Sequence, residues 1–247
     1  MLRGLLILCI ELIFFINLYA QNYNQNFINN SEFSKEELLG QINPASLSSF
    51  SLIPEDYTSK SGLYLRTEVL LAYKGLQNAA LDEGIELTIL SATRTFSHQK
   101  SIWERKWSRP RYMGWDAFDI ALDILTYSSM PGTSRHHWGT DIDLNSFENI
   151  YFESGEGLVV YEFLNRCANE FGFQQVYTSK ETSNTPRSGY EEEKWHWSYT
   201  PISIPMLEAY NELISTEDIG GFEGASQADS VKIIKNYVNG VNVLNLD

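Results

Sequence analysis

The spacing of apolar residues predicts a long amphipathic helix over residues 66–83. Its apolar positions recur three and four residues apart, as one face of an α-helix requires: Val69, Ala72, Leu76 and Ala79. Gly84 follows where helices commonly end, because glycine adopts left-handed backbone without a steric penalty. Residues 85–90 then alternate between apolar and polar positions, which predicts a half-buried strand leading to Arg94 in a loop.

Further helices are indicated by the same spacing and by residues that begin or end helices. Ser34 and Glu37 form a capping-box pattern for a short helix ending at Gly40, and the Pro/Ser-rich stretch to about Ser61 indicates a loop. Ser97 is the expected cap of the next helix. The other predicted helices cover residues 97–107, about 117–124, 158–171, 205–214 and 226–238.

Two later segments are typical of strands. Residues 139–144 alternate in polarity, and residues 195–199 are rich in aromatic side chains. Because the strands are few and long helical stretches separate them, we expect an α+β domain in which helices pack on a small, mostly antiparallel sheet. The chain of 247 residues, 43% of them hydrophobic, is long enough for one sizeable core, so we expect a single domain over residues 34–247.

The first twenty residues have the features of a signal peptide. Arg3 precedes an apolar run, and Ala20 supplies a small residue for cleavage. The run carries Glu11 and Asn17 and is shorter than the roughly 20 apolar residues of a membrane helix, which argues against a retained anchor. We therefore predict export to the periplasm or the extracellular space, with residues 21–33 as an Asn/Gln-rich flexible lead-in.

The charge and the cysteine content narrow the classes of function. A formal net charge of −14 repels phosphate backbones, so nucleic acid is not an expected partner. Cys9 falls in the predicted signal peptide and leaves Cys167, whose position indicates a small buried residue and which has no cysteine for an internal disulfide. A structural zinc site, usually rich in cysteine, is also disfavoured. We expect a monomer.

Three of the four histidines lie in segments that favour metal binding: His136, His137 and His196. Residues 134–143 offer an imidazole from a loop and carboxylates from the strand that follows, and residues 193–197 offer Glu193 and His196 among tryptophans. A catalytic zinc site has three nitrogen or oxygen ligands from the protein and leaves one position for water. Two histidines and one aspartate would meet that requirement, and Glu193 could exchange protons with the water.

At these residues the chain resembles the zinc D-alanyl-D-alanine carboxypeptidases of the vancomycin-resistance type, which share a zinc-site fold with D,D-dipeptidases and the hedgehog signalling domain. The family motif S-x-H-x-x-G-x-A-x-D aligns with residues 134–143, and E-x-W-H aligns with residues 193–196. The resemblance implies Zn²⁺ as cofactor, with His136, Asp143 and His196 as ligands and Glu193 as the catalytic base. It covers roughly residues 91–199 in ordered pieces.

A third motif lies upstream. The family element S-x-x-R-[ST], followed by a nearby glutamine, matches residues 91–95 and Gln99. The resemblance implies that Arg94 contacts the substrate and stabilises the developing oxyanion, as a permanently charged guanidinium can. It also implies that Ser134 and Gln99 bind substrate.

Two departures from a simple alignment concern the ligand set. Asp141 stands where the family has a small residue, and the two-residue period of a strand would place it on the same face as Asp143, as a partner of a ligand or as a rival ligand. On a regular strand, Glu193 and His196 would point to opposite faces, whereas Glu192 would share the face of His196. A bulge or a late strand start is needed for Glu193 to act.

The neighbouring residues have simpler interpretations. We expect His137 to pack beside the ligands without coordinating, and His98 to lie on the surface near a helix start. The tryptophans could line a substrate cleft, although aromatic residues in strands most often belong to the core: Trp138, Trp195 and Trp197. Glu191 and Glu192 are expected at the surface.

The resulting hypothesis is an exported enzyme that removes the terminal D-alanine from peptidoglycan stem peptides. An endopeptidase or a D-Ala-D-Ala dipeptidase with the same zinc site is an alternative, as is a non-catalytic, hedgehog-like binding module. The presence of Glu193 argues against the binding module. The sequence leaves open the choice between D,D and L,D stereochemistry and the third residue of the stem, lysine or diaminopimelate.

Overall fold

A computed structural model describes residues 33–181 and 187–242 of the chain. The predicted signal peptide and all of the predicted lead-in except Phe33 therefore lie outside the described residues. From Ser34 onward the described chain forms one compact unit. No helix within the described residues has both the length and the apolar character needed to span a membrane.

Helices make up most of the regular structure. Within the described residues the α-helices are α1 (Lys35–Leu38), α2 (Thr67–Asp82), α3 (Phe96–Trp107), α4 (Ala117–Ile124), α5 (Gly155–Cys167) and α6 (Thr200–Leu213). Short 3₁₀ turns join them, and a single π-helical turn covers Ile234–Val238. The predicted capping box is present at α1, where Ser34 Oγ accepts from the Glu37 amide and the Glu37 carboxylate accepts from the Ser34 amide.

The strands form two small antiparallel sheets. They are β1 (Phe50–Leu52), β2 (Tyr64–Arg66), β3 (Ile89–Ser91), β4 (Asp141–Leu144), β5 (Phe173–Gln175) and β6 (His196–Tyr199). The first two pair with each other, and the others form a four-stranded sheet in the order β3-β4-β6-β5. The predicted α+β class, with helices on a small antiparallel sheet, is confirmed.

The hydrophobic core has two parts. One packs α2 and α5 against the four-stranded sheet, with Leu76, Ile142 and Phe163 almost fully buried. The other surrounds α3 and α4 and includes Trp103 of α3. It also takes side chains from the last part of the chain, such as Ile233. The predicted helical face of residues 66–83 thus becomes a core face, and the sheet between the helices holds β4 and β6 side by side.

Three predicted boundaries were wrong near the start of the sheet. The strand predicted over 85–90 is reduced to Ile89–Ser91, because the preceding amides bond to side chains: Leu87 N–H donates to Gln77 Oε1 and Thr88 N–H donates to Asn145 Oδ1. The stretch interpreted as loop contains β1, which pairs with β2. The cap of α3 is Thr95 rather than Ser97, since Thr95 Oγ1 accepts from the His98 amide.

Two boundaries differ near the end of the chain. Helix α6 begins at Thr200 rather than Pro205, with Pro201 in the first turn, where a missing N–H costs no helical hydrogen bond. The helix predicted over 226–238 is interrupted: the backbone at Lys232 is left-handed, with φ 53°, and separates the 3₁₀ turn Ala225–Gln227 from the π-helical turn Ile234–Val238. Val231 and Ile233, on either side of the break, are both buried, whereas a continuous helix would point them in different directions.

Candidate active site

Three side chains from separate elements meet beside the central strand pair. His136 lies in the 3₁₀ turn Arg135–Trp138, while Asp143 and His196 lie on β4 and β6. Antiparallel pairing places Asp143 directly opposite His196. Gly139 ends the turn with φ 74° and directs the chain into β4. Sheet register therefore brings Asp143 and His196 together although they are far apart in the sequence.

The distances between these side chains suit a metal ion. Each residue offers one nitrogen or oxygen atom, and these atoms all lie within 4.8 Å of one another. His136 Nε2 is 3.2 Å from Asp143 Oδ2, and His196 Nδ1 is 3.3 Å from Asp143 Oδ1. All three residues are buried. The structure thus brings together the three residues predicted as zinc ligands.

Hydrogen bonding fixes the tautomer of His136. Its Nδ1 lies 2.8 Å from the Ala92 carbonyl oxygen and must donate to it, which leaves the lone pair of Nε2 free. Burial, together with the nearby Arg94 guanidinium, lowers the pKa of His136 to about 4. His136 is therefore neutral at pH 7, as a metal ligand requires.

Asp141 holds His196 from behind. Its Oδ2 accepts from His196 Nε2 at 2.8 Å and from Arg135 Nε at 2.9 Å, while its Oδ1 accepts from the Thr140 and Ser198 hydroxyls at 2.6 and 2.7 Å. Although burial opposes the charge, the Arg135 guanidinium and His196 hold the pKa of Asp141 well below its usual range. Of the two interpretations of Asp141, partner of a ligand and rival ligand, the geometry favours the first.

His196 lies between the Asp141 carboxylate on one side and the Asp143 and Glu193 carboxylates on the other. With Nε2–H donated to Asp141, its Nδ1 faces Asp143 and Glu193. Burial alone would lower the pKa of His196, but the hydrogen bonds that it donates to the Asp141 and Glu193 carboxylates, together with the charge of Asp143, raise it to about 9. In the metal-free chain His196 therefore carries a proton that a bound cation would displace.

Two buried atoms in the cluster have no hydrogen-bond partner among the described residues. They are His136 Nε2 and Asp143 Oδ1, and both are atoms that coordinate metals. Buried polar atoms are rarely left unsatisfied, so a missing ligand explains them better than strain does. Two imidazole nitrogens and a carboxylate oxygen are also the donor set of catalytic zinc sites. The residues fit a zinc ion on both counts.

Glu193 reaches the cluster because β6 starts late. The strand begins at His196, so Glu193 precedes it and is not bound by the alternation of a strand. Its Oε2 lies 3.2 Å from His196 Nδ1, and its side chain is buried. Burial raises the pKa of Glu193, against the lowering effect of the hydrogen bond to His196. A raised carboxyl pKa suits a group that both accepts and returns a proton.

Arg94 and Ser134 also face the cluster. Arg94 Nη2 is 3.7 Å from Asp143 Oδ2, and Ser134 Oγ is a buried hydroxyl without a partner among the described residues. Gln99 lies behind Arg94: its Oε1 accepts from Arg94 Nη1 at 2.9 Å, while its amide donates to the Ser129 carbonyl. Gln99 is not among the residues that line the cleft, and it holds Arg94; its predicted contact with substrate stays a prediction.

The cluster opens into a cleft with a volume of about 690 Å³. One wall is aromatic, since Tyr127 and Phe147 each lie with their ring centroids 6.4 Å from that of Trp195. Several residues that line the cleft were not predicted from the sequence, because they belong to no motif: Lys60, Lys106, Tyr127, Phe147, Asn149, Ile150 and Tyr177. Only Lys106 had a signal, at a four-residue spacing from Ile102 and His98 along a predicted helix.

The remaining residues singled out from the sequence have structural roles. His137 is buried, donates from Nδ1 to the Arg94 carbonyl and accepts the Gly132 amide at Nε2. His98 is exposed near the start of α3, as expected, and it also lines the cleft. The three tryptophans are buried, and Trp195 lines the cleft as well: Trp138, Trp195 and Trp197.

Comparison with known proteins identifies both the fold and the family of the chain. The fold is that of D,D-peptidases: a solved structure of VanYB in complex with D-alanine-D-alanine matches with a TM-score of 0.50 at 24% identity, over 69% of this chain and 87% of that one. Residues 62–202 match the family described as VanY, D-alanyl-D-alanine carboxypeptidase. The chain belongs to this family of carboxypeptidases.

Two curated relatives agree with this assignment. A D-alanyl-D-alanine carboxypeptidase of Enterococcus faecalis (strain ATCC 700802 / V583) is 29% identical over 143 residues, which cover 58% of this chain and 50% of that protein. YodJ of Bacillus subtilis (strain 168) is 28% identical over 157 residues, 62% of this chain and 53% of that protein. The chain thus spans about half the length of the curated relatives it matches.

Proposed function

We propose that this protein is a zinc-dependent D,D-carboxypeptidase that removes the terminal D-alanine from peptidoglycan stem peptides. The observation that carries the proposal is the buried cluster of His136, Asp143 and His196, which has two unpartnered ligand atoms among the described residues and has Glu193 beside His196 in the same cleft. Membership of the VanY family supports the reaction and the D-Ala-D-Ala substrate. Such a substrate requires action outside the cytoplasmic membrane, in agreement with the predicted signal peptide.

Three protein ligands are proposed for the metal. His136 Nε2, His196 Nδ1 and an Asp143 carboxylate oxygen would hold the zinc ion. When bound, zinc supplies Lewis-acid activation of a water molecule and of the scissile carbonyl. Asp141 keeps His196 in the tautomer that presents Nδ1, and the Ala92 carbonyl does the same for Nε2 of His136.

Glu193 is the proposed general base and acid. Its carboxylate accepts the proton of the attacking water and then returns it to the amine of the departing D-alanine. The contact with His196 Nδ1 at 3.2 Å puts this carboxylate next to a proposed ligand, which supports the role in proton transfer. Its raised pKa lets it hold the proton between the two steps.

Arg94 and Ser134 are proposed to orient the peptide. The Arg94 guanidinium, close to Asp143 and fixed by Gln99, can stabilise negative charge as it develops on the carbonyl oxygen. The Ser134 hydroxyl is buried in the cleft without a partner among the described residues and is available to the substrate. Both groups are in place before the substrate binds, so little reorganisation is needed.

The test is release of D-alanine from a pentapeptide ending in D-Ala-D-Ala, with zinc content measured on the same samples. Glu193→Gln should lower kcat by at least about 100-fold while zinc content stays at one per chain, because only the proton acceptor is lost. Glu192→Gln is the matched control, since Glu192 does not line the cleft. No release by the zinc-loaded parent would overturn the carboxypeptidase assignment and favour a dipeptidase or an endopeptidase.

A further inference from the structure

Helix α3 presents a row of three residues to the cleft. His98, Ile102 and Lys106 follow one another at four-residue intervals and all line the cavity. Residues four apart lie on the same face of a helix, so this row is a continuous wall. Its start lies beside Arg94, and Lys106 is two turns farther along the helix. None of the three residues is needed for the proposed zinc site.

Lys106 is partly buried and has no anionic partner. Its ammonium makes no hydrogen bond and no salt bridge with any described residue, whereas Lys35, Lys100, Lys180 and Lys194 all pair with carboxylates. Burial lowers the pKa of Lys106, and the positive charges of Arg109 and Arg94 lower it further, against the raising effect of the Glu193 carboxylate. A partly desolvated cation that makes no hydrogen bond is unfavourable without an acceptor. An anionic ligand would relieve that cost.

The other charges in the cleft point the same way. Lys60, Arg94 and Arg135 also line it, and since Arg135 is paired with Asp141, Lys60, Arg94 and Lys106 are the lining cations outside that pair, in a protein whose net charge is −14. Of the acidic lining residues, Asp143 and Glu193 are engaged at the proposed metal site, and only Glu148 is left elsewhere in the cleft. The potential in the cleft therefore favours negatively charged groups on the substrate, in contrast to the rest of the acidic surface.

We propose that Lys106 forms a carboxylate-binding subsite of the cleft, with Ile102 supporting the apolar part of the bound residue. This inference deepens the proposed function and rests on it, because it assigns a recognition element of the same substrate. Two carboxylates of a stem peptide could occupy the subsite: the one at the peptide terminus, and one carried by a stem side chain, such as that of diaminopimelate. The chemistry is the same, and the choice of substrates separates the two sources.

The test compares Lys106→Met with the parent on three substrates that end in D-Ala-D-Ala. One is a diacylated lysine tripeptide whose only carboxylate is terminal, and the others are pentapeptides with lysine or diaminopimelate as third residue. Loss of about 10- to 100-fold in kcat/KM is expected, the size of a hydrogen bond to a charged group. A loss shared by all three assigns the terminal carboxylate, and a loss that is larger for diaminopimelate assigns the side chain.

Two further variants keep this test specific. Lys106→Arg should keep most of the kcat/KM of the parent on each substrate, because it keeps the positive charge. Lys235→Met removes the same charge from an exposed residue that does not line the cleft, and it should behave as the parent. The effect of Lys106→Met on kcat/KM should also become smaller as the salt concentration is raised. Salt ions that enter the partly open cleft screen the attraction between the Lys106 ammonium and a carboxylate. Equal kcat/KM values for Lys106→Met and Lys235→Met on every substrate would overturn the subsite.

Binding measurements separate this inference from the catalytic proposal. The same peptides are titrated by calorimetry into zinc-loaded Glu193→Gln, with and without Lys106→Met. Weaker binding with Lys106→Met supports the subsite even if the parent shows no turnover, a result that would refute only the carboxypeptidase activity. Equal affinities, or no binding of any carboxylate-bearing peptide up to millimolar concentration, would overturn the subsite.

Discussion

At the scale of single residues, Asp141 explains a departure from the family motif. Where the family has a small residue, this chain has a buried carboxylate, and the pocket around it supplies compensating groups. Arg135 neutralises its charge, and the Thr140 and Ser198 hydroxyls satisfy its second oxygen. An aspartate placed there without these partners would be an unpaired buried charge. With them, it becomes the hydrogen-bond acceptor that orients His196.

Replacing Asp141 by asparagine should affect both metal binding and folding. Zinc affinity is expected to fall by about 10- to 100-fold, because the partner of a ligating histidine loses its charge. The free energy of unfolding of the metal-free chain should fall by about 3–5 kcal/mol, since Arg135 is left buried without a counter-ion. Chelator competition and urea unfolding measure the two effects.

Asp123→Asn is the matched control for this variant. Asp123 pairs with Arg111 at the surface and also accepts from the Tyr112 hydroxyl, and it is not part of the proposed zinc site. It should leave zinc affinity unchanged. An Asp141→Asn chain that binds zinc as tightly as the parent would show that Asp141 only fills space.

The residues that could be identified from sequence are those with a fixed spacing. His136, Asp143 and Glu193 stand at set distances within short motifs, and the structure brings them together with His196. Lys106 and the aromatic wall could not be found in this way, because sheet register and helix packing bring them to the cleft. Their side chains have ordinary structural uses elsewhere, so residue type alone does not single them out.

At the scale of elements, the turn before β4 sets the geometry of the site. Gly139 has φ 74°, and a Cβ at this position would lie 2.4 Å from Phe50 Cε1 and 3.2 Å from Arg66 Cγ. Arg66 also donates from Nε to the Trp138 carbonyl at 2.7 Å, which fixes the turn against β2. The two-stranded sheet thus supports the segment that joins His136 to Asp143.

Gly139→Ala should therefore destabilise the chain by about 2 kcal/mol or more, combining a left-handed backbone with a steric clash. Gly62→Ala is the matched control, since Gly62 has φ 76° but a Cβ there would meet nothing within 4 Å. It should cost only about 1 kcal/mol, the backbone part alone. Urea midpoints give both values. Equal losses would mean that Phe50 moves aside and that the turn is not held by packing.

Helices with a continuous apolar face were predictable because local spacing decides them. Helices α2 and α4 lie close to the predicted bounds. The segment 226–238 shows the opposite case: its apolar residues also fit a continuous helix, yet the backbone breaks at Lys232 and both Val231 and Ile233 enter the second part of the core. The first two strands have only three residues each and no pattern long enough to detect.

At the scale of the whole molecule, buried histidines couple stability to pH. Burial lowers the pKa of His136 to about 4 and that of His137 to about 3, from an ordinary value of 6.5. At pH values below 6.5, each histidine is neutral in the folded chain and takes up a proton when the chain unfolds. Stability should therefore be lost as pH falls from 6.5 towards 4, by up to about 1.4 kcal/mol per pH unit for each histidine.

His196 should act in the opposite sense in the metal-free chain. Its pKa is raised to about 9, so its contribution is complete below pH 6.5 and is lost as pH rises through 9. Urea unfolding of the chelated chain between pH 4.5 and 9.5 should thus show a maximum near pH 6.5, and saturating zinc should remove the alkaline loss. Constant stability from pH 6.5 to 4.5 would contradict the burial of neutral histidines.

A catalytic zinc site is tested most directly by a zinc titration of the chelated full chain, with D-alanine release from a D-Ala-D-Ala pentapeptide as the readout. We expect no release without metal and a rate that rises in proportion to zinc up to one equivalent per chain, where it levels off. His196→Ala should need a large excess of zinc for any activity. Release by the fully chelated chain, or a rate that stays at zero with one zinc bound, would contradict metal-dependent removal of D-alanine by this cluster.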